Sequence, residues 1–488
     1  MDFHKLSAFA LARGIKAREY TSEQVLDHFL ERTRRYNPAL NAVVVLKEEQ
    51  AREQARTADK AAEDGRDLGP LHGVPMTIKE TWELEGWPTT AGHKGYQDHV
   101  SPRTAVAVQR LLDAGAIIFG KTNVPEFAGD LQSFNEIYGT TNNPWNTDLT
   151  PGGSSGGAAA ALAAGLTPLE LGSDIGGSIR TPAAFCGIYG LKTTSGLVPM
   201  RGHVPGTPGS VAKRDMGVGG PLARHLDDLE AELDLLSGPD DDMAPWQVNL
   251  PPASKKPLEE YRFATWLNDD WAPVDNEVLS GLVGFCDQLK SLGARLEDAQ
   301  PEGLTLEKSH RLYYHLLGGV MSQGLPPKVR DRLAKLAGEE GDDYSHRFAR
   351  GALQSHGEWL QKDEERAQLQ RTWARFFEDH DLMICPVTNT LPFPHDQETS
   401  AMARTLTING KEEPYLDVTV WAGVAMVVGL PAISFPVGFG DDGLPRAVQI
   451  IGPAWSEKTL IEVARQAQAR LFPEGLPWPQ LKESQDPI

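Results

Sequence analysis

Cysteine is nearly absent from this chain. The three that occur among 488 residues, Cys186, Cys286 and Cys385, lie far apart, so there is neither a disulfide framework nor the close CxxC spacing of a metal site. The HExxH pattern is missing as well, and no metal or other cofactor is expected. Basic residues are outnumbered, 47 Lys+Arg against 67 Asp+Glu, for a formal net charge of −20. Nucleic acid and anionic membranes both demand clustered Lys/Arg, so neither is expected as a partner, and the acidic excess reads as a well-solvated surface. Long hydrophobic runs are lacking too. The longest, 418–433, is too short to span a bilayer and is broken by Gly429-Leu430-Pro431. The apolar patch at the N-terminus is brief, Arg13 interrupts it, and no small-residue cleavage site follows, so no signal peptide is read. A reducing, cytoplasmic setting is the expectation.

What is present is ordinary for a soluble globular protein, 40% apolar and 23% charged, with length enough for a large core. Thr21-Ser22-Glu23-Gln24 has the form of a capping box, opening a helix with Val25, Leu26, Phe29 and Leu30 on one face. Strands are expected at 41–46, 73–78, 116–119, 261–266, 382–385, 432–435 and 447–451. Helices are expected at 47–63, 104–114, 276–292 and 458–471. Strands alternating with helices indicate an α/β fold. Residues 238–257 read as an exposed linker and 304–380 as mainly helical, with a solvated charged face at 362–371. The late strands should complete the early sheet. The expectation is one domain over 1–488, with core motifs in 65–200 and a variable, helix-rich, substrate-side insertion in 238–380. No internal repeat occurs.

The chemistry concentrates in two glycine-flanked serine loops, Gly152-Gly153-Ser154-Ser155-Gly156-Gly157 and Asp174-Ile175-Gly176-Gly177-Ser178. The first lacks the Gly-Lys-Ser/Thr ending of a phosphate-binding loop. It does match G-x-S-x-G from Gly152 to Gly156. That nucleophile elbow requires a strand just before it, and 145–151 is polar and turn-like, so the match reads as accidental. The second loop offers successive N–H groups, a nest suited to an oxyanion, and a helix beginning near Ile179 adds a positive dipole end. Any one serine in such a loop reads as turn chemistry, and any one lysine as surface. Here an apolar strand also delivers Lys79. A buried lysine and two serines supply the parts of a nucleophilic hydrolase that needs no histidine.

These residues resemble the amidase signature family, whose GGSSGG and G-[ST]-D-x-GGS-[IV]-R-x-P-A-A-x-C-G pattern is met from Gly152 through Gly187. The likeness extends to Gly73-Val-Pro…Lys79, Gly120-Lys-Thr-Asn123, Asn143-Pro-Trp145, Gly190-Leu-Lys192, Gly429-Leu-Pro-Ala-Ile433 and Gly443 to Gly452. It thins between 238 and 380. Lys192-Thr193-Thr194 stands for the common Lys-Pro-Thr, and Ser173 for the commoner threonine. The resemblance implies a central mixed, twisted sheet covered by helices on both faces, with a helical insertion in the second half. It implies Ser178 as nucleophile, Lys79 as general base and Ser154 as the bridge between them, following a cis peptide bond. Ser155 competes for the bridging role. The amides of Ile175, Gly176, Gly177 and Ser178 are the implied oxyanion donors, with Asp174 and Arg180 in support. A free lysine pKa of about 10.4 leaves roughly one molecule in 2,500 neutral at pH 7, so the base must be buried to work.

The leading reading is a cofactor-free hydrolase of neutral small-molecule amides, working through an acyl-enzyme and releasing a carboxylic acid and an amine or ammonia. Esters, anilides and carbamates share its tetrahedral route. A homodimer is compatible with the sequence. Three other readings stand beside it. In the glutamine-using amidotransferase members of the family, which work within a complex, the resemblance puts an aspartate ahead of the Gly-Leu-Pro turn. That window falls on 419–421, which holds no carboxylate, and the nearest is Asp417. A non-catalytic scaffold is opposed by the intact lysine and serines. A Ser-His-Asp hydrolase would draw on His72, His93 or His203, for each of which packing or surface is the simpler role. Trp82, Trp87, Phe127, Phe134, Tyr138 and Trp421 are candidates for an apolar pocket wall.

Overall fold

A computed structural model describes residues 1–204, 208–240, 245 and 247–483. Eleven strands form one sheet. Across it run Val43–Leu46, Ile117–Thr122, Pro75–Lys79, Leu169–Asp174, Val218–Ala223, Tyr189–Lys192, Ala432–Phe439, Pro445–Ile451, Leu382–Cys385, Arg262–Thr265 and Arg295–Asp298, in that order. The sheet is mixed. Pro75–Lys79 lies parallel to both its neighbours, whereas Leu169–Asp174 pairs antiparallel with Val218–Ala223. Every residue of these inner strands is buried, so helices cover both faces of the sheet. The outermost strand, Arg295–Asp298, is largely exposed.

The α/β architecture agrees with the sequence, and so do most of the expected elements. Thr21 and Gln24 close the capping box in both directions, and Val25, Leu26, Phe29 and Leu30 pack into the core. The charged 304–380 stretch forms four helices, Leu306–Met321, Pro327–Ala337, Tyr344–Ala352 and His356–Asp379, the last burying only Trp373. Part of the expected linker, 241–244 and 246, lies outside the described residues, and the described remainder of 238–257 holds no helix or strand. Four strands escape the sequence reading: Leu169–Asp174, Tyr189–Lys192, Val218–Ala223 and Arg295–Asp298. The composition explains it. Val218–Ala223 carries Gly219, Gly220 and Pro221, which read as a turn, yet it pairs on both sides. Leu169–Asp174 ends in Gly172, Ser173 and Asp174, residues that favour loops when exposed.

The tryptophan candidates need correction. Trp82, Trp87 and Trp421 are almost completely buried. Trp421 sits on Val420–Val427, a helix buried on every residue, with its ring edge-on to Trp266 at 5.6 Å between centroids. A helix apolar all round is core, and these rings fill it. Among the described residues no helix is long and apolar enough to cross a membrane.

Candidate active site

Lys79 is the last residue of Pro75–Lys79, at the middle of the sheet, and is fully buried. The parallel neighbour Leu169–Asp174 runs straight into the second serine loop, so the two strands bring Lys79 and that loop together. Across the gap stands the first serine loop, which enters Gly156–Ala163, a helix of small residues buried throughout. No strand precedes Gly152, so the G-x-S-x-G match is not an elbow. Glycine is required at Gly153, where a Cβ would lie 2.6 Å from the Asp130 carbonyl oxygen. The Gly153–Ser154 peptide is cis.

The contacts separate the two serines of this loop. Lys79 Nζ lies 2.8 Å from Ser154 Oγ. Ser155 Oγ instead donates to the Ser173 carbonyl at 3.3 Å, and its amide donates to the Ser178 carbonyl at 3.1 Å. Ser178 is 6% exposed and lines the same cavity as Ser154. Its hydroxyl makes no hydrogen bond to Ser154 in this structure, leaving it free to turn toward a substrate.

Asp174 organises the loop that carries Ser178. Its carboxylate accepts from the amides of Gly177 at 2.8 Å and Ile179 at 3.1 Å. It also takes both ends of the Arg180 guanidinium fork at 3.0 Å. Burial pushes this carboxyl up, but the charge and hydrogen bonds of Arg180 outweigh it and hold the pKa at about 2. Arg180 reaches on to the Ala422 carbonyl at 2.8 Å and to Gln449 at 2.5 Å, tying the loop to distant segments. One implied role changes here. The Gly177 amide is committed to Asp174 and is unavailable to an oxyanion. The amides of Ile175, Gly176 and Ser178 meet no acceptor among the loop contacts. Gly177 adopts φ +104°, which favours glycine, and Tyr313 Oη donates to the Ile175 carbonyl at 3.1 Å, fixing the loop from the helical insertion.

Burial lowers the Lys79 pKa to about 7, with Asp174 and Glu170 pulling it partly back. Besides Ser154, its amine meets the Ser173 carbonyl at 3.3 Å and Ser173 Oγ at 2.9 Å. Among the histidines, His72 is buried far from this centre on Ala58 and Leu68. His93 pairs with Glu126 at 2.7 Å. His203 stands 2.7 Å from Ser173 Oγ. No sequence signal sets His203 apart, since it comes from a Gly-His-Val-Pro turn with no strand or helix period.

The cavity beside Ser154 and Ser178 measures about 540 Å³. Phe127, Met200, Val320, Met321, Leu325 and Phe348 supply its apolar wall, so the helical insertion forms one side of it. Phe127 is the one aromatic candidate that reaches it, stacked on His93 at 4.1 Å. Phe134 and Tyr138 do not line it. Phe134 packs under the Arg404 guanidinium, and Tyr138 is turned toward Glu80 and Thr90. The methionines and Phe348 are invisible in sequence because a cavity wall built from three separate segments leaves no local pattern.

The Amidase family model matches residues 24–461. An acylamidase of Rhodococcus erythropolis is 32% identical over 456 residues, covering 92% of each chain. An indoleacetamide hydrolase of Bradyrhizobium diazoefficiens is 31% identical over 470 residues, covering 95% of this chain and 86% of that one. The glutaminyl-type relative, a glutamyl-tRNA(Gln) amidotransferase chain of Nitrosomonas europaea, is 32% identical over 498 residues, covering 96% of each. The solved structure of 6-aminohexanoate cyclic dimer hydrolase with its substrate superposes with a TM-score of 0.77 at 27% identity, over 97% of this chain and 98% of that one.

The buried Asp174–Arg180 pair makes a stability prediction. Asp174→Ala strands a guanidinium in the interior, and removing one partner of such a pair costs about 3–5 kcal/mol. Urea unfolding of the variant should show a loss of that size. A loss within about 1 kcal/mol, the range of a surface pair, would mean that the pair does not anchor the loop.

Proposed function

This chain belongs to the amidase signature family and is an amide-hydrolysing enzyme, and from that premise we propose that it works through an acyl-enzyme on Ser178, with Ser154 as bridge and Lys79 as base. The observation that carries the reading is a fully buried lysine amine 2.8 Å from Ser154 Oγ, beside a cavity that also exposes Ser178. Ser178 Oγ attacks the carbonyl carbon while its proton passes to Ser154 Oγ and the Ser154 proton passes to Lys79. The oxyanion is held by the amides of Ile175, Gly176 and Ser178. Collapse breaks the C–N bond, and the proton returns from Lys79 through Ser154 to the departing amine. Water then attacks the ester by the same relay and releases the acid. Asp174 and Arg180 hold the loop, and Ser155 caps the neighbouring helix. The mainly apolar cavity suits the acyl part of a neutral small amide.

The base must be neutral to accept a proton, so activity should rise as Lys79 deprotonates. With its pKa at about 7, roughly a tenth of the molecules are competent at pH 6 and roughly nine-tenths at pH 8. The dependence of kcat/KM on pH should therefore climb through neutrality on one deprotonation and then level off. Ser178→Ala should abolish turnover and Lys79→Met should come close to it. A profile already flat from pH 5 upward would contradict a lysine base and point to a carboxylate.

The similarity to a tRNA-dependent amidotransferase raises a second reading, a glutaminase that needs partner chains. A free amino acid brings an ammonium and a carboxylate, and an unmatched charge in a pocket costs several kcal/mol. Asp215 on the cavity wall is engaged by Arg366 at 2.7 Å. Asp417 lies off the cavity, where it accepts from Tyr344 Oη at 2.6 Å. Neither stands ready for an ammonium. The purified chain alone should hydrolyse neutral amides without ATP, tRNA or further chains, and should handle glutamine poorly. Efficient glutaminase activity that emerges only on adding partner chains would defeat this reading.

A further inference from the structure

Ser173 Oγ lies between two nitrogens, 2.9 Å from Lys79 Nζ and 2.7 Å from His203 Nε2. A hydroxyl carries one proton and can give it to only one of them. The choice matters for a neutral lysine, which has two N–H bonds and one lone pair. The Ser173 carbonyl and Ser173 Oγ can accept both N–H bonds, which leaves the lone pair for Ser154 at 2.8 Å. If Ser173 gave its proton to Lys79 instead, the lone pair would be held by the wrong hydroxyl.

We propose that His203 Nε2 accepts the Ser173 proton and thereby keeps the Lys79 lone pair turned to Ser154, which makes His203 a positioning residue. This rests on Lys79 being the base. The surroundings of His203 favour an uncharged acceptor. It is 7% exposed, with its ring edge-on to Trp82 at 4.7 Å. Burial first, then the charges of Arg214 and Lys79, push the imidazole well below its usual range, so it stays neutral. Arg214 faces it by donating to the His203 carbonyl, while Glu83 faces Arg214, and Asp174 and Glu170 face Lys79. The Thr81 hydroxyl stands 3.0 Å from the same nitrogen, farther than Ser173. With Nε2 accepting, the ring proton sits on Nδ1, which meets no protein partner.

The test reads the second-order rate at which a fluorophosphonate labels the intact full-length protein, which needs no knowledge of the natural substrate. His203→Leu removes the acceptor and keeps apolar bulk against Trp82. Labelling should slow roughly 10- to 100-fold, part of the 10²–10⁴ that a positioned proton acceptor contributes. His203→Phe makes the same deletion with an aromatic ring and serves if the leucine variant does not fold. The decisive comparison adds Ser173→Ala to either variant. Deleting the misdirected hydroxyl frees the lone pair, so the double variant should label several-fold faster than the single. A merely structural histidine predicts the opposite, with the two losses accumulating. A folded single variant that labels within about twofold of the parent, or a double variant no faster than the single, overturns the proposal. Lys79→Met in the same assay separates the two levels. If it labels normally, the lysine reading itself falls. If it is inert while the His203 variants behave as the parent, only His203 is removed from the account.

Discussion

A lysine amine held away from water is the constraint on which the rest of this site depends. Keeping Lys79 charged in its fully buried position would cost on the order of 5 kcal/mol, judged from a pKa brought from 10.5 to about 7. The sign follows from linkage. Below pH 7 the amine is protonated in both the folded and the unfolded chain, and the folded state bears the full burden. The burden lifts as pH rises from about 7 toward the unfolded value. Glu170, on the adjacent strand, behaves in the opposite sense. Burial raises its carboxyl to about 8, so it contributes stability in acid that fades as pH climbs through that value. Two buried groups of opposite type are thus both brought close to neutrality within one part of the sheet.

Burial on that scale needs a rigid surround, and the sheet order supplies it. Lys79 lies on a strand with parallel neighbours on both sides, and one of those neighbours leads directly into the loop that carries Ser178. The loop is then locked by Asp174 and Arg180, and Arg180 reaches Ala422 and Gln449 in the last quarter of the chain. The same pair that fixes the nucleophile loop therefore also clasps the early and late strands. The helical insertion joins through Tyr313 and supplies much of the cavity wall, so the catalytic loops and the substrate side are separately encoded but packed as neighbours.

How much of this is legible in the sequence depends on how local the signal is. The serine loops and Lys79 are readable because glycine flanks and an apolar run declare their chemistry within a few residues. The capping box at Thr21 and the long helices declare themselves by period. Leu169–Asp174 and Val218–Ala223 do not, because burial at the centre of a sheet overrides residues that favour turns. The pocket aromatics mislead for a related reason. Trp82, Trp87 and Trp421 are large enough to serve core or pocket alike, and only packing decides between them. Ser173 is visible as a departure from the usual threonine, but its link to His203 spans 30 positions and two segments, beyond any local pattern. The commitment of the Gly177 amide to Asp174 stays hidden because the loop sequence gives the number of N–H groups without their directions.

The most direct test of the account is to identify the residue that a fluorophosphonate modifies in the folded protein, by mass spectrometry of the proteolysed adduct. Modification confined to Ser178, and lost when Lys79 is replaced by methionine, is the predicted result. Modification at Ser154 or Ser155 instead, or labelling of Ser178 that is indifferent to Lys79, would contradict it.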